Sequence, residues 1–299
     1  MNNRRKFLKL GAVMATGAFL PLQFCSGPEQ TVAVETGSSS NALSKFGLQL
    51  YSVKDEMAKN VRNTLEQISS YGYHQIEGYD GGKGIFWGMK NTEFKSMTSD
   101  LGLDFVASHA NVFEGLEQTA SEAAEIDMKY LICPWVGPQE SMDDFKRLAD
   151  QFNSIGQVCK DKGIRFAYHN HGYTFEELEG QMPQDFLMDN TDPDLVDYEM
   201  DIFWVVTPGA DPKAYLKKYS NRFKLCHLKD RMKSASPGEA NASTELGTGT
   251  IDFVPIIEVA KENGMEYFFA EQERFDNMTS LESANKNAEF LRDLQINKG

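Results

Sequence analysis

Short apolar runs alternate with longer segments of helical period along almost the whole chain, from residue 46 to residue 295. Each run has the length of a buried strand, and the segment that follows has the apolar spacing of an amphipathic helix. The strand-like runs cover residues 46–52, 74–80, 104–110, 130–135, 164–171, 197–204, 222–230 and 266–273. The helical segments cover residues 60–72, 91–102, 116–128, 141–163, 182–190, 211–220, 253–264 and 280–295. This order predicts eight consecutive strand–helix units without an internal domain boundary.

Glycines mark the ends of several of these helices. Gly72, Gly102, Gly163 and Gly264 each stand just ahead of a strand-like run, where a left-handed residue commonly ends a helix. Alternating units of this length build either an open doubly wound sheet or a closed barrel. Eight units in about 250 residues favour the closed form. The sequence therefore predicts one α/β domain, a (β/α)8 TIM barrel, over residues 45–299.

The N-terminal segment has the pattern of an export signal. Residues 1–26 begin with a basic stretch, continue with an apolar run and end with small residues. The Arg4–Arg5 pair resembles a twin-arginine signal, so we expect an exported, periplasmic protein. A membrane anchor is the alternative, although the apolar run is short for a span. Cys25 is a candidate lipid anchor, although Phe24 stands where lipoprotein signals have a small residue, and the polar residues 27–44 predict a flexible linker.

Charge and cysteine usage narrow the classes of partner. Without residues 1–26, the chain has 26 basic against 44 acidic side chains, a formal charge of −18. Nucleic acid is therefore excluded as a partner, because phosphate binding needs a basic face. Cys133, Cys159 and Cys226 are an odd number without a close pair, so we expect buried thiols rather than disulfides. The oligomeric state stays open.

Polar side chains gather where the strand-like runs end, although a polar residue inside an apolar strand is costly unless it is satisfied or functional. These are Glu77, His109, His169 with His171, Glu199 with Asp201, His227 with Lys229, and Glu271 with Glu273. Side chains two apart on a strand share a face. In a barrel the carboxyl ends of the strands meet at one mouth, where active sites lie. We therefore expect these side chains to converge there.

Mixed imidazole and carboxylate ligands suit a divalent metal ion such as Mn²⁺, Zn²⁺, Co²⁺ or Fe²⁺, with Mg²⁺ as a further candidate. A structural interpretation stands beside the metal hypothesis. A single histidine at a strand end is commonly a hydrogen-bonded structural residue. Glu199 or Glu273, taken alone, would be interpreted as a salt-bridge partner at the rim. The convergence of four strands favours the metal, because isolated buried charges are costly without partners.

Six runs carry a resemblance to a known family. They are "GLQLYSVKDE", "YHNH", "YEMDIFW", "CHLKD", "ELGTGTIDF" and "AEQE", and they span residues 46–273. In this order they resemble the xylose isomerase-like TIM-barrel superfamily of sugar isomerases, epimerases and dehydratases. The resemblance implies one divalent metal ion held by His169 on the fifth strand, Asp201 on the sixth, His227 on the seventh and Glu271 on the eighth.

The chain also departs from part of that superfamily. Ketose epimerases have a glutamate ligand where this chain has His169, and a substrate-binding histidine where it has Trp204. These differences argue against simple ketose epimerisation. The "YHNH" form is more similar to the branch that resembles inosose dehydratase and enzymes that eliminate from 3-keto sugars.

The resemblance and the strand-end residues together predict a metal-dependent sugar isomerase, epimerase or lyase. It would act on a keto sugar or a sugar-derived substrate through an enediolate. We expect Lys229 or His171 as acid–base groups and Glu271 as an alternative base, while an ion pair of Lys229 with Asp230 or Glu199 is the structural alternative. The expected substrate-binding residues are Glu77, His109, Trp87, Glu199 and Trp204.

Two other functions are weighed against this prediction. One is an exported carbohydrate-binding barrel without catalysis. The other is an endonuclease of the same superfamily, which the strong negative charge disfavours.

Overall fold

The computed structural model of the protein describes Leu43 and residues 45–294. The predicted export signal, Cys25 and nearly all of the predicted linker lie outside the described residues. Leu43, at the end of that linker, is buried in the core. None of the helices in the described part of the chain is long and apolar enough to cross a membrane.

Eight parallel strands close into a barrel, and a two-stranded antiparallel ribbon lies outside it. The barrel strands are β1 Gly47–Gln49, β2 Gln75–Gly78, β3 Asp104–His109, β4 Tyr130–Cys133, β5 Arg165–His169, β6 Val196–Asp201, β7 Phe223–Leu228 and β10 Tyr267–Ala270. The ribbon consists of β8 Asp230–Arg231 and β9 Ser243–Thr244. The barrel order is β1-β10-β7-β6-β5-β4-β3-β2. Barrel strands that follow one another in the chain are therefore neighbours, and β10 closes the barrel against β1. The predicted (β/α)8 barrel is confirmed.

Helices cover the outside of the barrel. They are α1 Lys54–Lys59, α2 Val61–Ser70, α3 Asn91–Asp100, α4 Leu116–Glu125, α5 Met142–Lys162, α6 Pro183–Asn190, α7 Ile202–Val206, α8 Pro212–Lys218, α9 Phe253–Glu262 and α10 Ser280–Asp293. Short 3₁₀ turns occupy Leu50–Val53 and Gly172–Phe175. The four glycines expected at helix ends all have positive φ angles, between 71° and 94°.

The sixth strand is shorter than its apolar run predicts. The run continues through Trp204, but β6 ends at Asp201 and helix α7 follows at once. The Asp201 carboxylate accepts a hydrogen bond from the Trp204 backbone N–H at 3.2 Å, which caps the new helix. The β-branched and aromatic residues after Asp201 favour a strand, and this local cap outweighs them.

Two apolar layers meet at the barrel wall. A large core fills the space between strands and helices, and a small separate cluster that includes Ala107, Ala167, Leu225 and Phe269 fills the inside of the barrel. Two positions further along those four strands, on the same face, stand His109, His169, His227 and Glu271. The inside of the barrel therefore changes from apolar to polar toward the carboxyl ends of the strands.

The segment "GTGTID" at residues 247–252 anchors the loop after β7. The Asp230 carboxylate accepts hydrogen bonds from the backbone N–H groups of Gly247, Gly249 and Ile251 at 2.9–3.1 Å. A β-carbon on Gly249 would lie 2.2 Å from Asp230 Oδ1, so a side chain there would displace the carboxylate. The glycines thus let the backbone wrap closely around one carboxylate.

The three cysteines of the described residues, Cys133, Cys159 and Cys226, are buried free thiols, as predicted. Burial raises the pKa of the Cys133 and Cys159 thiols to about 12. They are therefore packing residues of the core.

Candidate metal centre and its cavity

Four side chains from four consecutive strands converge at the mouth of the barrel. His169 ends β5, Asp201 ends β6, His227 lies in β7 and Glu271 directly follows β10. All four are buried, and each places one potential ligand atom within 4.8 Å of the others. We call these four residues the upper cluster. The structure thus brings together the four residues that the resemblance implies as metal ligands.

Hydrogen bonds on the far side of each imidazole orient the two histidines of the upper cluster. His169 Nδ1 lies 3.2 Å from the Pro134 carbonyl oxygen, so Nδ1 donates and Nε2 faces the cluster, 3.5 Å from Asp201 Oδ2. His227 Nε2 lies 3.0 Å from Glu77 Oε1, which leaves Nδ1 facing the cluster, 3.2 Å from Glu271 Oε2. An imidazole that donates one N–H to an outer acceptor in this way is oriented to bind metal through its other nitrogen.

The charges and the available ligand atoms of the upper cluster fit a divalent ion. Asp201 Oδ2 is buried and has no hydrogen-bond partner within the described residues. Burial would raise the pKa of Asp201, but Lys229 and the histidines outweigh it and lower that pKa to about 2. Lys229 and His227 likewise hold the pKa of Glu271 well below its usual range against the effect of burial. Two ionised carboxylates and two imidazoles are a donor set for Mn²⁺, Fe²⁺, Co²⁺ or Zn²⁺.

A second set of polar residues lies beside the upper cluster, and of this set only His109 reaches the cavity. His109 Nε2 lies 2.9 Å from Glu77 Oε1 and 3.0 Å from Glu199 Oε2, and the Gln49 side-chain amide also donates to Glu77. We call Gln49, Glu77, His109 and Glu199 the lower cluster. Burial would lower the pKa of His109, but the two carboxylates outweigh it and raise that pKa to about 9.

His109, His169, Glu199 and His227 form another group close enough to hold a metal ion. His109 Nε2 already contacts both the Glu77 and the Glu199 carboxylates, so this nitrogen would have to give up both contacts to bind a metal ion. The hydrogen bonds of the lower cluster therefore favour the upper cluster as the metal centre.

A cavity of about 500 Å³ opens above the upper cluster. His109, His169, Lys229 and Glu271 are among the residues that line it. Tyr51, Tyr79 and Trp204 form aromatic parts of its wall, and Phe113 and Trp135 also border it. A metal ion in the upper cluster would therefore be within reach of a bound small molecule.

Lys229 is fully buried at the edge of the upper cluster. Its Nζ contacts the Glu273 carboxylate and lies 3.2 Å from Glu271 Oε2 and 3.8 Å from Asp201 Oδ2. Burial would lower the pKa of Lys229, but these carboxylates outweigh it and raise that pKa above its usual value. The alternative pairing with Asp230 or Glu199 is wrong, because Asp230 binds backbone N–H groups and Glu199 binds imidazoles. Lys229 is therefore a cation that can donate a proton but does not start as a base.

His171 lies beside the upper cluster and lines the cavity. Its ring packs parallel to Tyr173, with centroids 5.8 Å apart, and lies 4.8 Å from the His169 ring. Burial and the neighbouring His169 lower the pKa of His171 to about 2, so the ring is neutral. Its Nδ1 is buried without a hydrogen-bond partner among the described residues. The arrangement leaves this nitrogen available to a bound molecule.

The residues expected to bind substrate occupy three different places. Trp204 and His109 line the cavity. Glu77 and Glu199 do not, because they lie fully buried in the lower cluster and bind the histidines. Trp87 packs edge-to-face on Tyr79 behind the cavity wall, with ring centroids 5.3 Å apart. Glu77, Glu199 and Trp87 thus lie outside the cavity lining, and their role in substrate binding stays a prediction.

Several cavity residues had no role in the sequence prediction. Among them are four aromatic side chains that follow the strands, namely Tyr51, Tyr79, Phe113 and Trp135. Glu273, for which a salt bridge at the rim was the structural interpretation, binds Lys229. Tyr79 and Trp135 follow β2 and β4 within two residues, so their position just beyond a barrel strand is the signal that could have found them.

Comparison with known proteins agrees with this architecture. The sequence model of the xylose isomerase-like TIM barrel family matches residues 65–294. Inosose dehydratase from Clostridium beijerinckii is 35% identical over 136 residues, 42% of this chain and 45% of that protein. Inosose dehydratase from Clostridium perfringens strain 13 is 34% identical over 165 residues, 50% of this chain and 55% of that protein. The chain thus spans about half the length of the curated relatives that it matches.

Solved structures extend the likeness over the whole barrel. A sugar phosphate isomerase/epimerase from Parabacteroides distasonis is 29% identical, with a TM-score of 0.76, over 85% of this chain and 99% of that one. The IOLI protein, solved with a bound zinc atom, is 15% identical, with a TM-score of 0.67, over 82% of this chain and 95% of that one. At that identity the second likeness concerns the fold alone.

Proposed function

Because the chain belongs to the xylose isomerase-like TIM barrel family, we propose that it is a metal-dependent enzyme that abstracts a proton beside a carbonyl of a sugar-derived substrate. The observation that carries this proposal is the upper cluster. Its two imidazoles are oriented by outer hydrogen bonds, and it contains a buried carboxylate oxygen without a partner in the described part of the chain. The prediction of an enzyme is further supported by the inosose dehydratase and isomerase relatives.

His169, Asp201, His227 and Glu271 would hold one divalent ion. When bound, the ion would polarise the substrate carbonyl and stabilise the negative charge of an enediolate. Two nitrogen donors favour Mn²⁺, Fe²⁺, Co²⁺ or Zn²⁺ over Mg²⁺, which prefers oxygen ligands. The zinc bound by the structurally similar IOLI protein is compatible with this choice.

The acid–base roles follow from the protonation states in the cavity. We assign proton abstraction to His171, because its ring lines the cavity beside the upper cluster and its Nδ1 has no partner among the described residues. Burial and His169 disfavour the imidazolium, so the proton should pass on to solvent. Glu271, the alternative base of the sequence prediction, is committed to Lys229 and His227.

Among the possible reactions, we propose elimination of water. The C–H electron pair beside the carbonyl becomes a carbon–carbon double bond as the carbon–oxygen bond at the next carbon breaks. Lys229 donates a proton to the departing oxygen, and solvent restores the proton, so substrate becomes an unsaturated ketone plus water. A protonated lysine beside the cavity supports this reaction, because the departing oxygen needs a proton donor.

The experiment is metal analysis combined with proton exchange. Purified protein should bind one equivalent of Mn²⁺, Co²⁺ or Zn²⁺. In D₂O it should exchange a carbon-bound proton of inosose or of one member of a panel of keto sugars. Loss of water from the same compound would identify the elimination, and exchange without loss would indicate an isomerase or epimerase. If the protein binds none of these metals on titration, the proposed function is contradicted and the carbohydrate-binding barrel without catalysis is favoured instead.

We also propose that residues 1–26 direct export, on the strength of the Arg4–Arg5 pattern alone. Replacing both arginines with lysine should retain the protein in the cytoplasm. Unchanged export of that variant would contradict the twin-arginine route. Cys25→Ala tests the lipid anchor separately, since a variant that stays membrane-bound was not anchored at Cys25.

A further inference from the structure

The outer part of the cavity carries two exposed aromatic side chains. Phe113 is 50% exposed and Trp135 is 52% exposed, and they are the exposed large hydrophobic residues of the described part of the chain. Single exposed aromatic residues are common on protein surfaces. These two border the same cavity that contains the upper cluster. Both side chains are therefore exposed beside the cavity that a ligand would enter.

Both side chains belong to ordered surroundings. The Trp135 ring packs edge-to-face on His171 and Tyr173, with centroid distances of 4.5 and 5.1 Å. The backbone N–H of Phe113 donates to the Asn111 side chain at 3.0 Å, which fixes the turn that carries the ring. Aromatic surface that is held in place binds a flat or apolar ring at a low entropic cost.

The size of the cavity exceeds the needs of one sugar ring. Its volume is about 500 Å³, within the range of roughly 300–1,000 Å³ that is typical of pockets for drug-sized ligands. A single sugar ring, with about a dozen non-hydrogen atoms, is well below drug size. A ring bound at the upper cluster would leave the space beside Phe113 and Trp135 for another group.

The charged residues that line the cavity argue against a phosphate as that group. Lys229 is the only lysine or arginine that lines it among the described residues, and its ammonium group is already paired with Glu271 and Glu273. Asp80 adds another acidic side chain to the lining. A phosphate in the outer part of the cavity, away from the metal ion proposed at the upper cluster, would meet Asp80 and no unpaired lysine or arginine among the described residues, which favours an uncharged group there.

We propose that Phe113 and Trp135 form an outer subsite for a second, uncharged ring of the substrate. The substrate class is then a ring-bearing sugar derivative such as a glycoside, rather than a free monosaccharide or a sugar phosphate. This proposal rests on the proposed function in one respect, because the reacting ring is assumed to lie at the upper cluster. The second ring stacks on Trp135 and contacts Phe113 from the solvent side.

The experiment compares three probes that differ outside the sugar ring. Binding of phenyl β-D-glucoside, methyl β-D-glucoside and glucose 6-phosphate is measured by saturation-transfer NMR and titration, with metal-loaded and metal-stripped protein. The phenyl glucoside should bind about fivefold more tightly than the methyl glucoside, from ring contacts alone. Trp135→Ala and Phe113→Ala should each reduce this ratio, and the double variant should bring it close to one. Both residues are exposed, so neither change should prevent folding.

Tyr267→Leu serves as the matched control. Tyr267 is a partly buried aromatic residue at the amino end of β10, far along the strand from the cavity. Its replacement should leave the phenyl-to-methyl ratio unchanged.

Four results would overturn the outer subsite. They are equal affinity of the two glucosides for the wild type, a ratio that survives in the double variant, tighter binding of glucose 6-phosphate, and no detectable binding of the phenyl glucoside up to its solubility limit. Equal loss of both glucosides in Trp135→Ala would also count against it, since Trp135 would then contact the inner ring. The ratio of the two affinities can be measured without metal or turnover. The outer subsite can therefore be contradicted while metal binding and proton exchange support the proposed function, and the proposed function can be contradicted while the ratio supports the subsite.

Discussion

The upper and lower clusters are built from the same kinds of side chain, yet their arrangement suits them for different tasks. In the upper cluster His169 Nε2 and His227 Nδ1 face Asp201 and Glu271 and lie 3.2 Å from each other, and Asp201 Oδ2 has no hydrogen-bond partner among the described residues. In the lower cluster the protonated His109 is shared between Glu77 and Glu199. The upper cluster contributes His169 and Glu271 to the cavity lining, whereas the lower cluster contributes only His109 and keeps its own unpartnered carboxylate oxygens, Glu77 Oε2 and Glu199 Oε1 among the described residues, away from the cavity. The comparison teaches that composition does not identify a metal site, because the outer hydrogen bonds decide which lone pairs are free.

His227 connects the two clusters through a single ring. Its Nδ1 belongs to the upper cluster, and its Nε2 contacts both Glu77 and Glu199 in the lower one. Burial would lower the pKa of His227, but the surrounding carboxylates outweigh it and raise that pKa well above its usual value. In the metal-free protein a proton therefore neutralises part of the carboxylate charge, and a metal ion would take over that role. The lower cluster thus orients a metal ligand, although its own residues do not bind the metal ion.

The largest effect is expected from Asp201→Asn in the upper cluster. The amide keeps the shape but removes the charge of the unpartnered oxygen, so proton exchange should fall by about a thousandfold or more, which is on the order of 4 kcal/mol. Proton exchange by NMR and metal content by mass spectrometry measure the two losses. Asp197→Asn is the matched control, because Asp197 lies at the other end of β6 and pairs with Arg165 at 2.8 Å. Exchange at the wild-type rate in Asp201→Asn would remove the upper cluster from the chemistry.

The lower cluster should reveal itself in the pH dependence of stability. His109 has its pKa raised from 6.5 to about 9 in the folded protein, so folding is favoured by its proton. That contribution is fully present below pH 6.5 and is lost as the pH rises to 9, by roughly 3 kcal/mol at about 1.4 kcal/mol per pKa unit. Urea unfolding of metal-free wild type and His109→Gln at several pH values measures it. The same slope in both proteins would show that His109 is not the group responsible.

Lys229→Met should separate chemistry from metal binding within the upper region. The substitution removes the proton donor but keeps the length of the side chain, so loss of water should slow by about a hundredfold. The metal should remain bound, because no ligand changes and the ion itself offsets the carboxylate charge. Lys224→Met is the control, because Lys224 lies in β7, just ahead of Lys229 in the chain, and pairs with Glu266 at 3.4 Å. If turnover were unaffected, Lys229 would have only a structural role.

Glu77→Gln is expected to give the smallest of these effects. It tests the contact between the two clusters. The amide weakens the hydrogen bond that orients His227, so affinity for Zn²⁺ should fall about 10- to 100-fold. Competition with a chelating dye measures this change, and Glu266→Gln at the other end of the barrel should leave affinity unaltered. Unchanged affinity in Glu77→Gln would mean that the lower cluster does not support the ligands.

Much of the fold was readable from the chain because it depends on local patterns. The eight apolar runs and their helical partners identify the barrel, and Gly72, Gly102, Gly163 and Gly264 end their helices at positive φ angles as expected. Alternation along a strand also predicted that His169, His227 and Glu271 follow apolar neighbours on one face. These features depend on residues a few positions apart, where backbone geometry is fixed by side-chain size and period.

The division of the polar residues into two clusters was decided only by tertiary structure. Glu77 and His227 are 150 residues apart in the chain and meet at 3.0 Å, and no local pattern indicates which nitrogen of a histidine then faces which carboxylate. The same holds for Lys229, whose partners are Glu271 and Glu273 rather than its chain neighbour Asp230. Protonation states depend on the sum of nearby charges in a buried space, and that sum exists only once the barrel has closed. The sequence by itself determined which side chains reach the mouth of the barrel, and the closed barrel determined which of them remain free to bind a metal ion.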